Sequence, residues 1–421
     1  ARLWVLEGFA GGIQPWWHHV GAYQEDRRMF RTIEPLNRWH KANETYLINR
    51  EPIANVGVVW SQQNTDFYGR DNPDELVDLP YRGFVTALIR ARIPWLPVHA
   101  DHIERDAPKF SVLVLPNVAA MSDAHCQSVR RFVQRGGGIV ATGEASLCNE
   151  SGEVRADFGL ADVFGVHLPA GQRRDNWSAK VAEAAGTNHT YLRLTPELGA
   201  KLDGPKTGKE PTITGTRHPV LAGFDETDLL PYGGTFRALS VDPGCETLAT
   251  FVPPLPYMPP ESVWMREPLT NLPGLITRTS HEGARIVFIA ADIDRRFARD
   301  NLPDHGNLLA NAVRWAAKGD FPLQVEGKGF VDCHLYRQAN RLILHIVNLT
   351  NAGTWRAAVD ELIPIGPVRV RVKLPENARA ENARSLVSDH KIPFANHQGH
   401  AEFELKSILD HEVAVIGLKL Q

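Results

Sequence analysis

The stretch from Phe132 to Gly152, FVQRGGGIVATGEASLCNESG, constrains the fold more than any other part of the chain. It reads as a helix end, a glycine turn at Gly136 to Gly138 and a buried strand Ile139 to Thr142, the arrangement that places ligands at the carboxyl edge of a doubly wound sheet. The next turn, Gly143-Glu144-Ala145-Ser146, sits where a sharp elbow after the strand would lift a cysteine nucleophile out of a doubly wound sheet. No cysteine occupies that elbow, and the nearest thiol, Cys148, lies downstream. Ser146 has no histidine and aspartate partners recognisable in sequence, so a serine hydrolase is disfavoured. Glu144 at the elbow reads as a turn or helix-start carboxylate. The stretch therefore predicts the scaffold of a nucleophile enzyme without its nucleophile.

The flanking pattern is α/β from Ile53 to about Gly319. Val56 to Trp60 and Val112 to Leu115 read as buried strands, and Tyr81, Val85, Leu88 and Ile89 fall on one helical stripe. Ser122 caps a helix whose apolar face is Cys126, Val129 and Val133. From about Pro169 to Leu275 periodicity is weak and short strands are expected. Arg285 to Asp292 restores a strand, and Leu308, Leu309, Ala312 and Trp315 mark a closing helix. After Pro322 the period becomes two: Val368 to Lys373 alternates apolar and basic residues, with Arg341 to Asn348 and Glu402 to Leu405 expected to behave alike, which predicts a small β-sandwich over 321–421. Residues 1–52 offer an apolar strand Leu3 to Leu6, an aromatic Gly-Gly loop and a helix from about Asp26 to Tyr46, in the order of the last βα unit of a (β/α)8 barrel. A chain opening inside an uncapped apolar strand is expected to begin partway through a longer polypeptide.

Composition excludes several function classes. With 46 basic and 49 acidic residues and a net charge of -3, there is no basic stripe for a phosphate backbone, so nucleic acid is not an expected partner. Apolar runs are strand-sized, short of the roughly 20 residues a membrane helix needs, so a soluble protein of unassigned compartment, bacterial cytoplasmic or exported, is expected. The four cysteines are scattered without metal-finger spacing and read as free thiols.

Three motifs carry a family resemblance. Asn149-Glu150-Ser151-Gly152 after the glycine turn and strand, GARIVFIAADIDRR with NLPDHGNLLANAVRWA, and Gly11-Gly12-Ile13-Gln14-Pro15-Trp16-Trp17-His18-His19 followed by Arg38-Trp39-His40 together resemble the C-terminal part of family 42 β-galactosidases and related hypothetical glycoside hydrolases. The resemblance implies a barrel end (1–52), a class I glutamine amidotransferase-like trimerisation domain (53–320) and a C-terminal β-sandwich (321–421). It further implies an enzyme that hydrolyses glycosidic bonds as a homo-oligomer, with trimers favoured, on a carbohydrate substrate and without a cofactor.

Glycoside hydrolysis needs two carboxyl groups about 5 to 9.5 Å apart across the scissile bond. The resemblance puts both on barrel strands upstream of this chain, leaving Glu7, the acidic residue at the carboxyl end of a candidate barrel strand, as the candidate catalytic or substrate-touching carboxyl; the alternative is a carboxylate paired with a barrel arginine. Trp16, Trp17, His18 and His19 suit a sugar cleft, because aromatic faces stack on sugar rings while imidazoles hydrogen-bond hydroxyls; the alternative is a hydrophobic plug. Adjacent histidines on an extended segment point to opposite sides, so His18 and His19 make a poor metal pair and no metal is expected. Asp66 and Tyr68, on the segment leaving the first α/β strand, could reach a sugar cleft or cap the sheet. Asp292 to Arg296 reads as an ion-pair network joining domains or as a ligand site. The rival function is a non-catalytic carbohydrate-binding or assembly protein.

Overall fold

Strands rich in Val, Ile and Leu, buried on both faces, form a sheet that has nine strands among the described residues. The computed structural model describes residues 1–14, 16, 25, 27–169, 190–198, 215–234, 236–255, 258–350, 359 and 361–420. Contacts divide them into two compact units, one of residues 55–88 and 95–320 and one of residues 1–54, 89–94 and 321–421. No described helix is long and apolar enough to cross a membrane.

In the first of these units, Trp95–His99, Val56–Trp60, Val112–Leu115, Gly138–Thr142 and Arg285–Ile289 lie side by side and parallel. Pro273–Thr279, Glu246–Val252, Tyr191–Leu194 and Leu229–Pro231 extend the sheet antiparallel. These are the short strands expected in the region of weak periodicity.

The helix Asp123–Gln134 opens with Ser122 Oγ accepting the His125 N–H and His125 Nδ1 accepting the Ser122 N–H, a reciprocal cap. It closes at Gly136, whose φ of +82° is the left-handed conformation a helix exit requires. Gly137 and Gly138 serve packing instead: an added Cβ would lie 2.4 Å from the Phe132 ring and 2.3 Å from the Ala316 carbonyl oxygen, respectively.

The second unit holds the β-sandwich. Among the described residues one sheet has five strands, centred on Val331–Gln338, Arg341–Asn348 and His411–Leu420, and the other has four, including Leu323–Glu326, Val368–Lys373 and His400–Leu405. Val331, Cys333, Leu335, Leu344, Val370 and Phe403 share the core between them. The alternation expected along Val368–Lys373 is present, but Arg341–Asn348 is buried on both faces. Three helices account for the difference: α1 (Arg2–Ala10), α2 (Arg28–Ala42) and α3 (Glu44–Leu47). Trp39 and Tyr46 from α2 and α3 pack on Tyr336, Ile343, Val413 and Val415, covering the outer face of the five-stranded sheet.

The start of the chain corrects the expectation. Leu3 to Leu6 is not a strand but lies within α1, so the strand–loop–helix order of a barrel's last unit is not formed by residues 1–52. A short apolar run has no periodicity that separates strand from helix. Here Leu6, Phe9 and Ala10, at i, i+3 and i+4, are buried on one side while Trp4 is 75% exposed.

Candidate functional site

Tertiary hydrogen bonds fix α1 on the sheet. The Tyr336 hydroxyl donates to the Ala10 carbonyl at 2.5 Å, Arg50 Nη2 donates to the Phe9 carbonyl at 2.5 Å, and the Arg50 guanidinium lies 4.1 Å above the Tyr336 ring. At the other end, Arg2 pairs with the buried Asp410 at 2.5 Å. The helix then presents two different sides.

One side opens on a cleft of about 430 Å³, lined by Trp4, Glu7, Ile13, Gln14, Trp16 and Asn37 among others. Trp16 is 76% exposed. Exposed indoles offer flat apolar faces, and the two amides offer both donors and acceptors, the pairing that a sugar ring with its CH face and its hydroxyls requires. The structure thus brings together Glu7 and Trp16, two of the residues singled out from sequence. Trp17, His18 and His19 lie outside the described residues.

Glu7 also faces the sheet. There it meets Asp332 and His334, which alternate with core residues on the strand Val331–Gln338 and so share its outer face. His334 Nε2 lies 3.0 Å from Asp332 Oδ2. Burial, reinforced by the Asp332 carboxylate, pushes the Glu7 carboxyl up to about 9, so it holds its proton at neutral pH and shares it with Asp332. Burial acts against the Asp332 charge as well, yet the facing His334 imidazole and the hydrogen bond from Glu7 hold that carboxyl below its ordinary range. Sequence reading missed Asp332 and His334 because they stand more than 300 residues from Glu7. The available signal was the polar set Asp332 and His334 alternating with Val331, Cys333 and Leu335.

In the α/β unit, the segment after Val56–Trp60 leaves the carboxyl end of a strand flanked by Trp95–His99 and Val112–Leu115, where strand order reverses. A groove of about 450 Å³ there is lined by Trp60, Ser61, Thr65, Asp78, Tyr81 and Pro97 among others. Asp66 is exposed and accepts a hydrogen bond from Gln62 at 2.9 Å. Tyr68 turns inward instead: it is 2% exposed, and its hydroxyl donates to Glu144 Oε2 at 2.7 Å.

That bond explains the elbow. Glu144 Oε1 takes the Arg237 guanidinium at 2.5 Å, both side chains being buried, and the Glu144 N–H donates to Asn117 Oδ1 at 2.8 Å. The position that could carry a nucleophile holds a buried ion pair. Ser146, with φ of +66°, is fully buried, and its Oγ accepts the Leu160 N–H at 3.0 Å. Cys148 is fully buried, and all four cysteines are free. Asp292 to Arg296 forms an ion-pair network within this one unit rather than between domains: Arg295 binds Asp292 at 2.5 Å and Glu75 at 2.8 Å, and Thr142 Oγ1 donates to Asp294 at 2.5 Å.

No protein-family model matches the chain, and no curated protein matches it by sequence. Solved structures do match it in fold. α-L-Fucosidase isoenzyme 2 from Paenibacillus thiaminolyticus superposes with a TM-score of 0.70 at 18% identity, over 99% of this chain and 57% of the fucosidase. A β-galactosidase from Bacillus circulans sp. alkalophilus gives 0.63 at 15% identity, over 99% and 52%. A catalytic mutant of a family 42 β-galactosidase from G. stearothermophilus gives 0.60 at 12% identity, over 100% and 50%. The chain shares the fold of a region of these glycoside hydrolases and spans about half the length of each.

Proposed function

We propose that the chain acts in glycoside hydrolysis as part of a β-galactosidase-like enzyme. In this reading the amidotransferase-like α/β region, 53–320, assembles subunits, trimers being favoured. The β-sandwich, 321–421, carries the helices that line part of the sugar cleft. The observation that supports it is the cleft itself, where the indoles of Trp4 and Trp16 stand beside Glu7, Gln14 and Asn37 in a fold shared with a fucosidase and β-galactosidases.

The reacting carboxyl pair is assigned to sequence outside these 421 residues. A glycosidic bond and its nucleophile need carboxyls about 5 to 9.5 Å apart. Glu7 and Asp332 are in hydrogen-bonding contact, which leaves no room for a sugar between them. Glu144 is engaged by Arg237 and Tyr68. Glu7 is therefore read as bordering the substrate rather than attacking it.

The test is turnover of a panel of nitrophenyl glycosides. The 421-residue chain alone is expected to hydrolyse none. The polypeptide from the complete reading frame is expected to hydrolyse at least one, with Trp16→Ala lowering its kcat/KM by about tenfold or more, a loss of roughly 1.4 kcal/mol in transition-state binding. Turnover by the chain alone that Glu7→Gln abolishes would place the catalytic apparatus here and overturn the assignment. Turnover by neither protein would leave the non-catalytic binding or assembly reading.

A further inference from the structure

The cluster of Glu7, Asp332 and His334 has the chemistry of a cation site that lies apart from the steps of glycoside hydrolysis. Each of the three offers one ligand atom, and these atoms lie within 4.8 Å of one another. Two features set it apart from a surface group of acids. Asp332 is 7% exposed, and Glu7 Oε1 is buried without any hydrogen-bond partner. A buried carboxyl oxygen without a donor is costly, and a cation taken up in place of the shared proton removes that cost. The second feature is a nitrogen donor fixed in place by the ladder. His334 stands directly across from His345, whose own Nδ1 is buried and unpartnered on a side chain 1% exposed.

We propose that Glu7, Asp332 and His334 bind one divalent transition-metal cation that clips α1 to the five-stranded sheet. Two carboxylate oxygens balance the double positive charge, and the imidazole selects against Mg²⁺, Ca²⁺ and Mn²⁺, which prefer oxygen ligands, in favour of Zn²⁺. Three protein ligands leave a coordination position for water or a bound group. Glu7 also lines the cleft beside Trp4 and Trp16, which gives the ion a path of entry. Binding exchanges the proton shared by the two carboxyls for the cation. The residues come from both ends of the sequence, so the ion would tie the first helix to a strand more than 300 residues away.

The test uses the 421-residue chain, stripped with a chelator and titrated calorimetrically with Zn²⁺. One equivalent is expected to bind, and Glu7→Gln, Asp332→Asn and His334→Ala are each expected to weaken binding by about 100-fold or more, above the 10- to 100-fold typical of outer-shell changes. His397→Ala, which removes an exposed imidazole of the sandwich, is expected to leave it unchanged. Co²⁺ in place of Zn²⁺ is expected to give a visible absorption band that His334→Ala shifts or abolishes. Melting of the metal-free variants separates loss of a ligand from loss of the fold: His334 is partly exposed, so His334→Ala is expected to melt with the wild type. Stoichiometric binding that survives His334→Ala, or absence of binding by the wild-type chain, overturns the proposal and leaves a carboxyl pair sharing a proton. Because none of these readouts uses glycoside turnover, their failure is distinct from failure of the hydrolase reading.

Discussion

Glu144→Gln tests whether the elbow is structural. The substitution keeps the size of the side chain and an acceptor for the Tyr68 hydroxyl, and it removes only the charge. Glu144 is 1% exposed and Arg237 3%, so water can replace neither partner. Breaking a buried ion pair from one side costs about 3–5 kcal/mol, because the remaining charge stays desolvated. In a unit of this size each kcal/mol moves the melting temperature by roughly 2–4 °C, so the transition of the α/β unit should fall by about 6–20 °C in differential scanning calorimetry. Arg237→Met should cost a similar amount. The double variant Glu144→Gln, Arg237→Met should recover a good part of the loss, since the neutral pair leaves no buried charge, and the cycle gives the coupling directly. A melting temperature within a degree of wild type for Glu144→Gln, or strict additivity of the two changes, would refute the buried-pair account of this turn.

Three further outcomes are expected. Gly136→Ala should lower stability by about 1 kcal/mol from its left-handed φ, its nearest neighbours being the Glu282 oxygen at 3.6 Å and Lys318 Nζ at 4.0 Å, whereas Gly138→Ala, driven against the Ala316 carbonyl, should cost more; equal urea midpoints would contradict the different roles given to the two glycines. Burial raises the Asp294 carboxyl to about 6, so the fold favours its protonated form. Its contribution is whole below the ordinary carboxylate range and is lost as pH rises through 6, a fall of roughly 2 kcal/mol between pH 4 and 7 that Asp294→Asn should remove; an unchanged slope in that variant would remove Asp294 as the source. Phe67 is 44% exposed on the segment after Val56–Trp60, so if the α/β region assembles subunits there, Phe67→Asp should dissociate the oligomer in sedimentation at tens of micromolar, whereas a wild-type monomer at that concentration would end the assembly role.

Four of the parallel strands, Val56–Trp60, Val112–Leu115, Gly138–Thr142 and Arg285–Ile289, were legible in the sequence, as were the capped helix Asp123–Gln134, the glycine exit and the switch to alternation after Pro322; the parallel strand Trp95–His99 was not. Each legible feature depends on residues near one another in the chain: an apolar run between turn residues, a serine before an amphipathic stretch, a period of two. What the sequence left undecided has a common physical cause, which is burial by distant partners. Leu3 to Leu6 became helix because Leu6, Phe9 and Ala10 found a sheet face to cover, and propensity alone did not choose between the two states. Arg341–Asn348 lost its alternation because α1 to α3 cover the face that would otherwise meet water. Tyr68 turned inward because Glu144, 76 residues on, accepts its hydroxyl. Glu7 stood in sequence as a lone acid on an apolar run. Only the tertiary structure set it against Asp332 and His334, since a carboxyl group acquires its proton affinity and its ligands from whatever the fold brings within a few ångströms.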